Sequence, residues 1–271
     1  MNALVFKLKG PPEQRIDLSC LVPDALQGRT EKAIASLPIH TTCEKLNVGD
    51  VFALRMGDTM SLRFEGGSER FDLIGAGMTA GSIVVEGPVG QLAGRLMRGG
   101  SLHIRGDAGP YAASRLAGGQ LVIDGDAGDR LGGPLAGEMA GMSGGLTIVR
   151  GDAGSRAGDR LRRGLVVIEG RSGADAGSRM IAGTLVLRGA VAGSPGALMR
   201  RGTIALLNAA GPLAPGFVDC GVHRLVAVRL LATEIARLGT AWARSLDRPL
   251  RRFAGDMAVL GKGEILCLPG D

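Results

Sequence analysis

Three aspartates stand at one position of a recurring Gly-Asp-Ala-Gly corner: Asp107, Asp126 and Asp152. Carboxylates held close together with split pKa values do acid–base work, as in the cleavage of glycosidic bonds. Two of the three flank an insertion, so the spacing alone does not make them neighbours. Arg95, Arg115, Arg160 and Arg179 recur at a similar interval. An Asp and Arg lattice that neutralises stacked like charges is the structural alternative, and it is the preferred one. Cys220-Gly-Val-His223 offers a thiol and an imidazole of the nucleophile-and-base kind; the plainer reading is a turn leading into a helix. The only histidines are His40, His103 and His223, with no H-x-H or H-x-x-x-H pair. The four cysteines, Cys20, Cys43, Cys220 and Cys267, form no C-x-x-C. A zinc, iron–sulfur or metal-hydrolase site is therefore not expected, and reduced thiols are the default. No residue is assigned a catalytic, cofactor-binding or metal-binding role.

The elements that would position such groups follow from an unusual composition. Of 271 residues, 46 are Gly and only eight are aromatic (Phe 6, Trp 1, Tyr 1), yet 45% are hydrophobic. Without a G-X-Y period this is not collagen, and a chain this apolar is not disordered by composition. No apolar run approaches the ~18 residues of a membrane span. Met1 to Gly10 lacks a basic-then-apolar signal pattern, which reads as cytoplasmic. The net charge of +6 comes from scattered arginines, not from a basic stripe with interleaved aromatics. Neither nucleic acid nor membrane is expected as a partner.

Repeats decide the architecture. Six short β-like runs each close on glycine: Ser82–Glu86, Ser101–Arg105, Gln120–Asp124, Leu146–Arg150, Leu165–Glu169 and Thr184–Arg188. Behind each run the spacing G-x-x-G-x-x-x-G recurs. It reads Gly87, Gly90, Gly94; Gly106, Gly109, Ala113; Gly125, Gly128, Gly132; Gly151, Gly154, Gly158; Gly170, Gly173, Gly177; and Gly189, Ala192, Gly196. Every departure is to alanine, the next smallest side chain. The period is 19 residues, except for one repeat of 26 that carries a seven-residue insertion within 133–145. An apolar residue follows in most repeats (Met97, Leu116, Leu161, Met180, Met199), then another glycine. Such a repeat cannot bury its own apolar face, so like positions must stack. The expected fold is all-β: a right-handed parallel β-helix of about seven coils, with a C-terminal helix.

Three regions follow. Residues 1–50 form a lead-in with a short strand and helix, 51–207 the β-helix, and 208–271 a linker, the helix and a terminal strand. Ser61–Glu65 is a degenerate first coil, and Val51–Arg55 leads into it. Between Val222 and Leu246, apolar residues at Leu225, Val228, Leu231, Ile235, Leu238 and Trp242 keep helical spacing. This helix either caps the open end of the stack or docks onto a neighbour. Insertions in repeat proteins map to loops, often on the binding face. Pro134, Leu135, Glu138 and Met139 are accordingly the candidate partner-contact residues.

The glycine array resembles the β-helical C-terminal domain of the glutamate synthase large subunit. It resembles more closely the C subunit of formylmethanofuran dehydrogenase and of its bacterial relative, the formyltransferase/hydrolase complex. The flanks carry the closer match: Pro23-Asp-Ala-Leu26, Thr30 to Pro38, and Leu46-Asn-Val-Gly-Asp-Val-Phe52, then Gly255-Asp-Met257 and Gly261-Lys-Gly-Glu-Ile265. The resemblance covers nearly the whole chain. It implies a non-catalytic architectural member of a complex of one-carbon metabolism. Such a complex moves a formyl group between tetrahydromethanopterin and a methanofuran-type carrier (methylofuran) and hydrolyses the carrier's formyl group to formate. The implied partners are amidohydrolase-like, formyltransferase and dehydrogenase-B-like subunits, which would hold the carriers and the hydrolase metal, expected to be zinc. The alternatives are the C subunit of a tungsten or molybdenum formylmethanofuran dehydrogenase and a stand-alone glutamate-synthase-like β-helix protein.

Overall fold

The structure, a computed structural model, describes residues 2–208, 212–239 and 241–269. The expected linker after Leu207 lies partly outside them, at 209–211. Within the described residues the protein is mostly β, built on one sheet of thirteen strands.

Each β-like run of the repeat is a strand, and every strand pairs in parallel with its counterparts 19 or 26 residues away. Leu62, Ile83, Leu102, Leu121, Thr147, Val166, Leu185, Ile204 and Ile265 fall into one register column. Period-two alternation sends this column and the one two residues on to the inside. The second column runs Phe64, Val85, Ile104, Ile123, Val149, Ile168, Leu187, Leu206 and Cys267, and all its members are buried. A second row of parallel bridges, Ser68–Val89–Ala108–Ala127–Ala153–Ser172–Val191, stacks the glycine-spaced turns opposite. Met78, Met97, Leu116, Met142, Leu161, Met180 and Met199 fill the remaining side of the core. Met142, from the insertion, supplies the apolar residue that the 26-residue repeat otherwise lacks. Each fully buried aliphatic contributes about 1.5–3 kcal/mol by transfer from water.

The glycine columns do two different jobs. A Cβ on Gly106 would lie 2.6 Å from the carbonyl carbon of Gly87 and from the nitrogen of Pro88. Here glycine lets one repeat's backbone touch the next. Gly94 instead has φ of +65°, and a Cβ there would meet only leucine methyls at ordinary contact, Leu121 Cδ2 at 3.6 Å, Leu102 Cδ2 at 3.7 Å and Leu116 Cδ1 at 3.9 Å. Its counterpart Ala113 holds φ +58° with a side chain in place.

Four of the six phenylalanines gather at the N-terminal end of the core. Phe6, Phe52, Phe64 and Phe71 pack with centroids 4.7–5.8 Å apart. The strand Ala3–Leu8 extends the parallel sheet beside Asp58–Glu65, and Phe52–Arg55 closes it antiparallel, as the edge of the sheet. Leu18, Leu21, Leu26 and Ile34 join the same hydrophobic core. At the other end Lys262–Cys267 adds in parallel, then Leu250–Gly255 and Val218–His223 add antiparallel.

The C-terminal helix is shorter than its apolar spacing suggests. It spans Val226–Arg237, stops at Leu238 before Gly239 (φ +80°), and is followed by a 3-10 helix, Ala241–Leu246. One face of it is seated on this chain's own sheet and not over the open end of the stack. Val228, Ala232 and Ile235 pack on the outward face of the sheet, against Ile148, Val167, Val186, Ala205 and Leu266. Those five share one outward register column, apolar in this half of the ladder. In the other half the same column carries Arg63 and His103, which no apolar helix face would cover.

Candidate partner-contact site

The corner aspartates are neighbours despite the insertion, which leaves the chain on another side. Asp107 Oδ1 accepts the backbone N–H of Asp126 at 2.8 Å, and Asp126 Oδ1 accepts that of Asp152 at 2.7 Å. Asp152 in turn accepts the N–H of Arg171 and pairs with its guanidinium at 3.0 Å. The Arg171 N–H, with help from the guanidinium, holds the Asp152 carboxyl below the usual aspartate range. Acceptors fixed on backbone donors favour the ionised form. The column therefore links repeat to repeat through carboxylate-to-backbone hydrogen bonds.

Thiol and imidazole in Cys220–His223 do not pair. The segment lies in an exposed edge strand and does not form a turn into a helix. The His223 ring bonds the Cys220 carbonyl at 2.7 Å, and Cys220 Sγ lies 3.5 Å from the Val218 carbonyl. His103, on the outward face, meets Asp124 at 2.8 Å. Among the described residues no three His, Cys, Asp or Glu side chains converge as metal ligands.

The outward columns are neutralised by their own sequence. Glu86 sits between Arg63 and Arg105, each at 3.0 Å. Asp124, Arg150, Glu169 and Arg188 then alternate along the ladder. Asp159, fully buried, pairs with Arg179 at 2.5 Å.

The insertion folds back onto the body. Glu138 Oε1 lies 2.6 Å from Arg95 and 3.4 Å from Arg115; Oε2 accepts the N–H of Leu135, and the Glu138 carbonyl accepts from Arg160. The Arg95 bond, against the opposing effect of burial, keeps the Glu138 carboxyl below its ordinary range. Arg95 stands one position before the column of Arg115, Arg160 and Arg179, so the four arginines are not one row. Of the four candidate contact residues, Pro134 is buried, and Leu135 and Glu138 are half-buried. Met139 is 81% exposed and is the one presented outward. Sequence reasoning placed Glu138 at a partner surface and missed its role as the clamp of its own loop. The signal was there: Arg95 and Arg115 in successive repeats need a counter-charge, and Glu138 is the one carboxylate of the insertion.

Fold and site together define a repeat-built β protein whose outward charges from Glu86 to Arg188 are paired within the chain. No family model matches the chain. It is 56% identical over 260 residues to the C subunit of the formyltransferase/hydrolase complex Fhc of Methylorubrum extorquens, a match spanning 96% of this chain and 97% of that one. The chain belongs to the family of that protein. The crystal structure of the formyltransferase/hydrolase complex (FhcABCD) from Methylorubrum extorquens, in complex with methylofuran, contains a chain of the same fold. The TM-score is 0.92 with 43% identity, over 98% of this chain and all of that one. No helix among the described residues is long and apolar enough to cross a membrane.

Proposed function

We propose that this chain is a non-catalytic, architectural subunit of a formyltransferase/hydrolase complex. The complex moves a formyl group between tetrahydromethanopterin and a methylofuran-type carrier and hydrolyses it to formate, in the cytoplasm. The observation that carries the reading is the 56% identity to the Fhc C subunit along nearly the whole length. The chemistry of the chain supports it: its clustered aspartates bond backbone N–H groups of the next repeat, and its thiol and imidazole bond backbone carbonyls.

In this reading residues 51–207 wind as a right-handed parallel β-helix of about seven coils, with Gly87 to Gly196 at its corners. Residues 1–50 plug one end, and 208–271 finish the other and cover an outer face. The parallel in-register pairing, the second row of bridges opposite, and the general handedness of parallel crossovers support it. Formyl transfer, hydrolysis, their carriers and the zinc then belong to formyltransferase, amidohydrolase-like and dehydrogenase-B-like partner subunits. Met139 leads the insertion's contact with one of them.

The test is purification of the tagged chain from its native cell. Co-elution of the three partner subunits, with hydrolase activity only in the assembled fraction, is expected. A lone chain with hydrolase activity of its own overturns the reading.

A further inference from the structure

We infer that the corner formed by Arg162, Arg163, Arg200, Arg201 and Lys262 is a docking surface for an acidic segment of another protein chain. The inference rests on the proposed function above and goes beyond it. All five side chains are exposed. None has an ion pair or a side-chain hydrogen bond among the described residues. Arg201 and Lys262 are register partners on adjacent parallel strands, about 4.8 Å apart by strand spacing. Arg163 stands two steps along the same column. Arg162 and Arg200 hold the next column, two steps apart from each other.

This corner differs from the outward column that runs from Glu86 to Arg188. There stacked charges alternate in sign, as in Asp124, Arg150, Glu169 and Arg188, and the like-charged aspartates at 107, 126 and 152 are held by backbone N–H groups. Here five cations repel one another with no carboxylate between them. The nearest acid along the strand, Glu264, is already held by Arg252 and by the Thr203 hydroxyl, both at 2.8 Å. An acidic segment of a partner would supply the carboxylates that this chain does not place here.

The neighbouring surface fits a protein partner better than a free ion. Two residues along the same strands, Thr203 and Glu264 line a groove of about 450 Å³ whose other wall is Leu225, Val226 and Leu231. Val226 and Leu230 are both well exposed. A groove with one apolar wall and one polar wall, the latter including Thr184 and Arg252, beside a charged rim has the mixed character of a protein interface.

The experiment uses the assembled complex. Arg162, Arg163, Arg200 and Arg201 are replaced together by Glu, and in a second variant by Lys, which keeps the charge. Affinity of each tagged chain for the remaining subunits is measured against salt, with circular dichroism as a check on folding. Expected is a roughly tenfold or greater loss for the Glu variant, little change for the Lys variant, and wild-type binding that weakens as salt rises. A folded Glu variant that assembles with wild-type affinity overturns the inference. So does unchanged assembly with lost binding of soluble poly-glutamate, which would assign the corner to a free polyanion. A wild-type chain that fails to assemble overturns the proposed function itself.

Discussion

The Glu138 carboxylate lies 2.6 Å from the guanidinium of Arg95, 43 residues earlier in the chain. Both side chains are largely buried, so the pair is worth more than a surface ion pair. Glu138→Ala should cost about 1.5–3 kcal/mol, the range for hydrogen bonds to charged groups. It should also open 134–140 to proteolysis before the body unfolds. Denaturant midpoints and limited digestion read the two effects. Unchanged digestion would show that Glu138 does not clamp the loop.

The same pair gives a pH dependence with a definite sign. The Glu138 carboxyl is held below its ordinary range in the folded protein, chiefly by Arg95. Its stabilisation is therefore complete above the unfolded-state pKa, roughly 4.3. It is lost as the pH falls through the lower folded-state value. Asp152 acts in the same direction. Stability measured from pH 7 down to pH 3 should fall less steeply in Glu138→Gln than in the wild type.

Two glycine substitutions should separate the two jobs of glycine. Gly106→Ala drives a Cβ into the backbone of the preceding repeat at 2.6 Å. The backbone has no rotamer to yield, so the cost should reach or exceed about 3 kcal/mol. Gly94→Ala meets only ordinary contact and bears the left-handed strain alone, about 1–2 kcal/mol. Equal melting temperatures for the two variants would contradict this division.

Ile235 is fully buried between the C-terminal helix and the sheet. Ile235→Ala should cost about 2–5 kcal/mol. Because the helix covers a face outside the repeat core, the loss should appear as local opening. Hydrogen exchange should rise in Val226–Arg237 and stay slow in the strands Ser82–Glu86 and Ser101–Ile104. Equal acceleration in both would show one cooperative unit.

Deleting Pro134 to Ala140 should leave the repeat ladder intact and weaken assembly with partner subunits, because Met139 is removed. Size-exclusion profiles of the co-expressed complex read this directly, and unchanged co-purification would remove the insertion from the interface. Arg95 and Arg115 lose their carboxylate in this variant, so Met139→Ala, which keeps Glu138, is the companion test.

Much of the fold was legible in sequence because a stacked repeat makes non-local contacts periodic. A residue's neighbours are its own counterparts 19 positions away, so Gly106 above Gly87, or Ile104 above Val85, follows from counting. The same logic predicted the aliphatic core and accounts for the scarcity of rings. Charges were less legible. The Asp126 to Asp152 contact depends on which side of the repeat the insertion leaves. The Glu138 clamp depends on that loop folding back across three repeats, a path no period encodes. The helix was visible as apolar spacing from Val228 to Ile235, but its seat was not. That seat is set by an outward column, Ile148 to Leu266, whose apolar character matters only once the strands are paired. The sequence by itself determined the repeat, its register and its buried face, through side-chain size and alternation. Only the tertiary structure decided which charges neutralise one another and which, at Arg162 to Lys262, are left for something else. That assignment rests on distances between side chains that no spacing along the chain specifies.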